Sequence, residues 1–114
     1  MFSVTGGRFF LFKAPTDMRK SFDGLCGLVT NQMQLNVMSG DVFVFINRSR
    51  NRMKLLRWES GGLVLFYKRL EKGTFPLPKE GGKADLSYDE LVMTIHGIRL
   101  ENARKNTRFY PHKK

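Results

Sequence analysis

Residues 40–72, GDVFVFINRSRNRMKLLRWESGGLVLFYKRLEK, leave little freedom in what this chain can fold into. In Asp41–Ile46 every residue after the aspartate is apolar and either β-branched or aromatic, the pattern of a strand covered on both faces. Asn47-Arg48-Ser49-Arg50-Asn51-Arg52 then sets three guanidiniums at alternate positions in a polar connection. Met53–Trp58 resumes the strand pattern, Ser60-Gly61-Gly62 breaks it, and Leu63–Tyr67 is again almost wholly apolar. Turn residues between short apolar runs predict an antiparallel meander. Pairing across Ser60-Gly61-Gly62 would set Arg57 and Trp58 near the start of the third strand, and bring Lys68 and Arg69 back beside the basic turn.

The meander also holds most of the charge. The 114-residue chain has a formal net charge of +10. Residues 48–72 contribute eight Lys and Arg against two Glu, more than half of that excess. Such a concentration points to an anionic partner: nucleic acid, an acidic protein surface or an acidic membrane. The length suits one hydrophobic core and one domain, expected over residues 1–100, with a basic tail over 101–114. Cys26 is the only cysteine, so no internal disulfide is possible. The N-terminal residues lack the pattern of a signal peptide, and no apolar run approaches the ~20 residues that span a bilayer. A cytoplasmic protein without membrane contact is the expectation.

Elsewhere, Phe2–Thr5, Gly6-Gly7 and Arg8–Lys13 predict an N-terminal hairpin. Thr16 is placed to cap a helix over Asp17–Gln34, with Phe22, Leu25, Cys26, Leu28, Val29 and Met33 as its apolar stripe. Pro76-Leu77-Pro78 ends regular structure, and Lys79–Lys83 reads as a loop. Ser87-Tyr88-Asp89-Glu90 matches a capping box ahead of a helix from about Tyr88 to His96, with Gly97 as its C-terminal cap.

Catalytic patterns are hard to find. His96 and His112 lie far apart with no C-x-x-C near either, which gives no metal-ligand spacing. Cys26 falls on the apolar stripe, where a structural thiol is expected. The glycine pairs stand at turns without phosphate-loop spacing, and the carboxylates Asp17, Asp23, Asp41 and Asp89 form no motif for metal-dependent nuclease chemistry. A non-enzymatic protein with no cofactor and no metal is expected. The positive feature is the basic meander: Arg48, Arg50, Arg52, Lys54, Arg57, Lys68 and Arg69 as phosphate ligands, with Trp58 as a stacking platform if it is not rim packing. A merely solvated hairpin tip is the competing reading.

Two segments carry a resemblance. PTDMRKSFDGLCGLV (residues 15–29) and SGDVFVFINRSRNRMKLLRWESGGLVLFYKRLEKGTF (residues 39–75) closely resemble the TnpB-type accessory proteins of a bacterial transposable-element family, insertion sequence sixty-six. These are small companions of the transposase, distinct from the RNA-guided nucleases that share the TnpB name. LSYDELVMTIHGI (residues 86–98) resembles them more loosely: Ile95-His96-Gly97 stands where a leucine and a carboxylate would precede the glycine. The resemblance implies a context, transposition beside a DDE-type transposase, and no catalytic residues.

Together these features predict a small α+β domain. An antiparallel sheet of about five strands, made of the N-terminal hairpin and the central meander, carries one main helix and a short C-terminal one. The expected function is a non-catalytic accessory protein of DNA transposition that binds DNA phosphates through the meander. The alternative is an adaptor that docks on an acidic face of the transposase or another element-encoded protein.

Overall fold

A central strand without a polar side chain must be buried from both sides, and the fold is the solution to that demand. The computed structural model describes residues 6–76 and 83–97. Five strands, β1 (Phe9–Phe12), β2 (Val42–Ile46), β3 (Arg52–Glu59), β4 (Gly62–Arg69) and β5 (Lys83–Leu86), form one sheet in the order β4-β3-β2-β1-β5. Helix α1 (Phe22–Gly27) continues into a π-helical turn, Leu28–Gln32, and a single 3-10 turn spans Val37–Ser39. Helix α2 (Tyr88–His96) follows β5.

All five residues of β2 are fully buried. Because strand side chains alternate, Val42, Val44 and Ile46 enter one layer with Leu11, Leu55 and Leu91 of α2. Phe43 and Phe45 enter the opposite layer with Phe10 and Leu56, against Leu25, Val29 and Met33 of the α1 region. The sheet is therefore a two-sided partition, one helix to each side, in an α+β domain as expected.

The β2–β3–β4 meander has the predicted register. Lys54 stands opposite Tyr67 and Arg52 opposite Arg69, and Trp58 meets Leu63 beside the Ser60-Gly61 turn. Helix α2 spans the expected residues. The Ser87 hydroxyl accepts from the Glu90 amide, the Glu90 carboxylate accepts from the Ser87 amide, and Gly97 closes the helix in the left-handed region.

Three expectations are corrected. The sheet, expected to be antiparallel, is not so throughout: β1 runs parallel to β2, Phe9 opposite Val42 through Phe12 opposite Phe45. The intervening residues, which include α1, are long enough to cross over and bring the chain back in the same direction. Phe2–Thr5, the other arm of the expected hairpin, lies outside the described residues, as do residues 79–82 of the expected loop and the basic tail. Lys83, by contrast, opens β5, which pairs antiparallel with β1 at the sheet's edge. K-A-D-L has neither the length nor the apolar content that marks a strand in isolation; charges on a short edge strand are a common defence against unwanted pairing.

The main helix also starts later than predicted. The Thr16 amide donates to the Ile46 carbonyl at 2.8 Å, fixing Thr16 to the end of β2 instead of a helix cap. The Asp17 carboxylate accepts from the Arg19 amide at 2.9 Å, and the Lys20 amide closes a turn on the Asp17 carbonyl. Short acidic side chains compete with helix in this way, and α1 begins only at Phe22.

Gly7 shows how tightly the crossover is closed. It has φ +73°, and a Cβ there would lie 2.6 Å from the Gly40 carbonyl oxygen. Gly61, with φ +82°, would place a Cβ in open space. In urea denaturation Gly61→Ala is expected to cost about 1 kcal/mol, the penalty of a left-handed alanine. Gly7→Ala, which adds a backbone clash, is expected to cost distinctly more; equal costs would contradict the close approach.

Candidate nucleic-acid interface

The connection between β2 and β3 is a built turn. The Asn47 side chain accepts at Oδ1 from the Asn51 amide at 3.0 Å and the Arg52 amide at 2.9 Å, and donates through Nδ2 to Asn51 Oδ1. Arg50 takes the left-handed conformation at φ 59°, and its carbonyl accepts from the amide of fully buried Phe75 at 2.7 Å. The Asn51 carbonyl accepts from Leu70, so the segment after β4 braces the turn as well. Arg48 and Ser49 are left exposed at its tip.

The seven cations expected at the interface divide into two groups. Lys54, Arg57 and Lys68 clamp the fold. Lys54, buried to 6% exposure, donates to the carbonyls of Met18 and Lys20, each at 2.8 Å, and its ammonium lies 4.7 Å from the centre of the Tyr67 ring. Arg57 projects from the opposite face of β3, donating to the Gly40 carbonyl at 2.9 Å and the Gly6 carbonyl at 2.8 Å, with Glu59 3.9 Å away. Lys68 shares that face and donates to the Ile95 carbonyl near the C-terminal end of α2 at 2.8 Å. Each replaces water around a buried or half-buried charge with backbone oxygen, the least that burying a cation requires.

Arg48, Arg50, Arg52 and Arg69 remain at the turn end. Arg69 is matched by Glu71, its Nη2 2.8 Å from Oε2. Arg52 donates to the Tyr67 hydroxyl at 3.1 Å. The guanidiniums of Arg48 and Arg50 have no hydrogen bond or ion pair among the described residues. Trp58 is half-buried at the other end of β3, roughly 20 Å along the strand from Arg52. The aromatic side chain that the cations do meet is Tyr67, 47% exposed.

Between this turn and the Pro15–Arg19 segment lies an open cleft of about 660 Å³. Arg19, Arg48 and Arg52 line it with Tyr67, Pro15 and Met18. Asp17 is its single carboxylate among the lining residues, and that charge is spent on Arg19, whose Nη2 approaches Oδ2 to 2.7 Å. Hydrogen bonds from the Arg19 side chain, then from its backbone, hold the Asp17 carboxyl down to about 2. The pair thus stays ionised as pH falls until that value is approached.

Arg19 and Tyr67 were not among the expected ligands. Tyr67 was recoverable from the hairpin register, which puts it opposite Lys54. Arg19 was hidden by the expectation that residues 17–20 form the first turn of a helix.

Outside this end, chemistry is sparse. Burial, and then the charge of Asp23, raises the Cys26 thiol, which disfavours the thiolate. No group of three or more His, Cys, Asp or Glu among the described residues is placed to hold a metal ion, and no helix there is long and apolar enough to cross a membrane.

Comparison with known proteins decides the family. Residues 7–105 match the family described as IS66 Orf2 like protein. The chain belongs to that family. It is 36% identical over 92 residues to the uncharacterized protein y4hO of Sinorhizobium fredii (strain NBRC 101917 / NGR234), covering 80% of each chain. It is 30% identical over 94 residues to the uncharacterized protein y4jC of the same organism, covering 82% of this chain and 80% of that relative. No solved structure matches. Membership of the IS66 Orf2-like family makes this a transposition-associated accessory protein, as the resemblance implied. The match spans β1 through α2, and so includes both sides of the cleft.

The two groups of cations differ in what their removal does. Lys54→Met strips two carbonyls of a charged donor and is expected to destabilise the protein by about 2–4 kcal/mol in urea denaturation. Arg48→Ala is expected to change stability by no more than about 0.5 kcal/mol. A neutral Lys54→Met would show that the clamp does not hold residues 15–20 on the sheet.

Proposed function

We propose that this protein is a non-catalytic accessory factor of transposition that binds DNA phosphates through the turn end of its sheet. Arg48, Arg50 and Arg52 are the principal contacts. The observation that carries this reading is the rigid Asn47–Arg52 turn, which presents Arg48 and Arg50 without carboxylate partners among the described residues. The turn backbone is held in place while these guanidiniums stay open to a ligand, and a guanidinium makes bidentate contacts to phosphate. Lys54, Arg57 and Lys68, engaged with backbone oxygens, support the surface instead of contributing to it. Since phosphates carry no sequence information by themselves, preference among DNA sequences should be weak.

Binding should weaken steeply with salt: three phosphate contacts give a slope of about −2.7 in log K against log salt on duplex DNA. Charge reversal of Arg48, Arg50 and Arg52 to Glu is expected to abolish duplex binding in fluorescence anisotropy while circular dichroism and the melting transition are retained. Unchanged affinity in a folded triple variant would refute the assignment.

A second reading is supported by the edge of the sheet. Strand β4 is outermost, its far edge unpaired among the described strands, and it runs beside the basic turn. An acidic extended segment of the DDE-type transposase could pair there and meet the arginines. Co-purification with the transposase from nuclease-treated extract would favour this adaptor role; loss of the complex after nuclease treatment would favour DNA.

A further inference from the structure

The proposed phosphate surface treats the turn end as a patch of charge, but the cleft has a shape and a second chemistry. Its volume of about 660 Å³ falls in the range of sites for small organic ligands, ~300–1,000 Å³, and exceeds what one phosphate group needs. Its walls are of two kinds. Arg48 and Arg52 offer guanidinium N–H groups, and Arg52 spends one on the Tyr67 oxygen. Pro15, Met18 and the Tyr67 ring offer apolar and aromatic surface. The Tyr67 hydroxyl, accepting from Arg52, keeps its own proton available to donate. The Lys54 ammonium against the ring fixes its position, so a flat partner would meet a surface already ordered.

We infer that this cleft accommodates one unpaired nucleotide of a DNA strand, with its phosphate on Arg48 and Arg52 and its base against Tyr67. The inference rests on the proposed DNA binding and specifies the form of DNA that fills the site. A duplex can bring phosphates to the turn, but its bases are stacked on one another and paired. An unpaired or frayed strand can turn a base out to an aromatic side chain, as single-strand-binding surfaces require. Asp17 does not oppose the phosphate, because Arg19 neutralises it at the cleft's edge.

The test compares a labelled oligothymidylate with a blunt duplex of equal length by fluorescence anisotropy, using wild type, Tyr67→Leu and Tyr67→Phe. Wild type is expected to bind the single strand more tightly. Tyr67→Leu should lose roughly tenfold or more of single-strand affinity, the scale of one lost base stack, with duplex affinity little changed. Tyr67→Phe, which keeps the ring, should retain most of the preference. Duplex binding without single-strand preference, or equal loss on both substrates in Tyr67→Leu, overturns the inference while leaving phosphate binding intact; binding to neither substrate overturns both. Should Tyr67→Leu fail to fold, thymidine monophosphate titrated into wild-type protein provides the same decision by NMR. Both ligands are expected to shift Arg48 and Arg52, while the nucleotide alone gives ring-current shifts on the Tyr67 ring protons beyond those that follow from phosphate on Arg52. Identical responses to the two ligands would overturn the base contact.

Discussion

Burial of β2 on both faces is the constraint from which the other arrangements follow. Val42–Ile46 offers water no polar side chain, so each face needs its own cover, and the chain supplies the α1 region on one side and α2 on the other. The crossover that delivers the first cover makes β1 parallel to β2. Cations of the neighbouring strands that point into either layer must then find oxygen. Lys54 finds it in the Met18 and Lys20 carbonyls, Arg57 in Gly40 and Gly6, and Lys68 in Ile95. Lys54 and Lys68 tie the covering segments to the sheet, and Arg57 ties together the residues that lead into β1 and β2.

The charge left over is gathered at one end because the turn is internally satisfied. Asn47 meets the amides of Asn51 and Arg52, while the Arg50 and Asn51 carbonyls are taken by Phe75 and Leu70. With its backbone occupied in this way, the turn leaves Arg48 exposed at its tip. The Pro15–Arg19 segment, held in place by Lys54, adds the opposite wall. Fold and site are therefore coupled through one ammonium group that touches no ligand in the proposed scheme.

Much of this was legible in the sequence. Apolar runs separated by turn residues foretold the meander and its register, and Ser87 with Glu90 foretold α2. The features that were not legible depend on competition between local and distant partners. Residues 16–20 look like a helix start until Ile46 claims the Thr16 amide and Asp17 claims Arg19. Lys83–Leu86 becomes a strand only because β1 presents an edge to it. Similarly, linear charge density located the excess charge in the meander, but it could not separate cations that solvate themselves on backbone carbonyls from those at the turn end. Strand parity separates Arg57 and Lys68 from Arg52, and tertiary contacts then remove Lys54 as well.

The central claim, that the turn end and not the clamp residues meets DNA, is tested most directly by mapping backbone amide shifts as duplex and single-stranded DNA are added to isotope-labelled protein. Perturbations centred on residues 47–52 and 16–19, with Gly40, Arg57 and Ile95 essentially unmoved, are the expected result. A footprint on α2 and the Arg57–Lys68 face, or saturating DNA without any footprint at the turn, would contradict it.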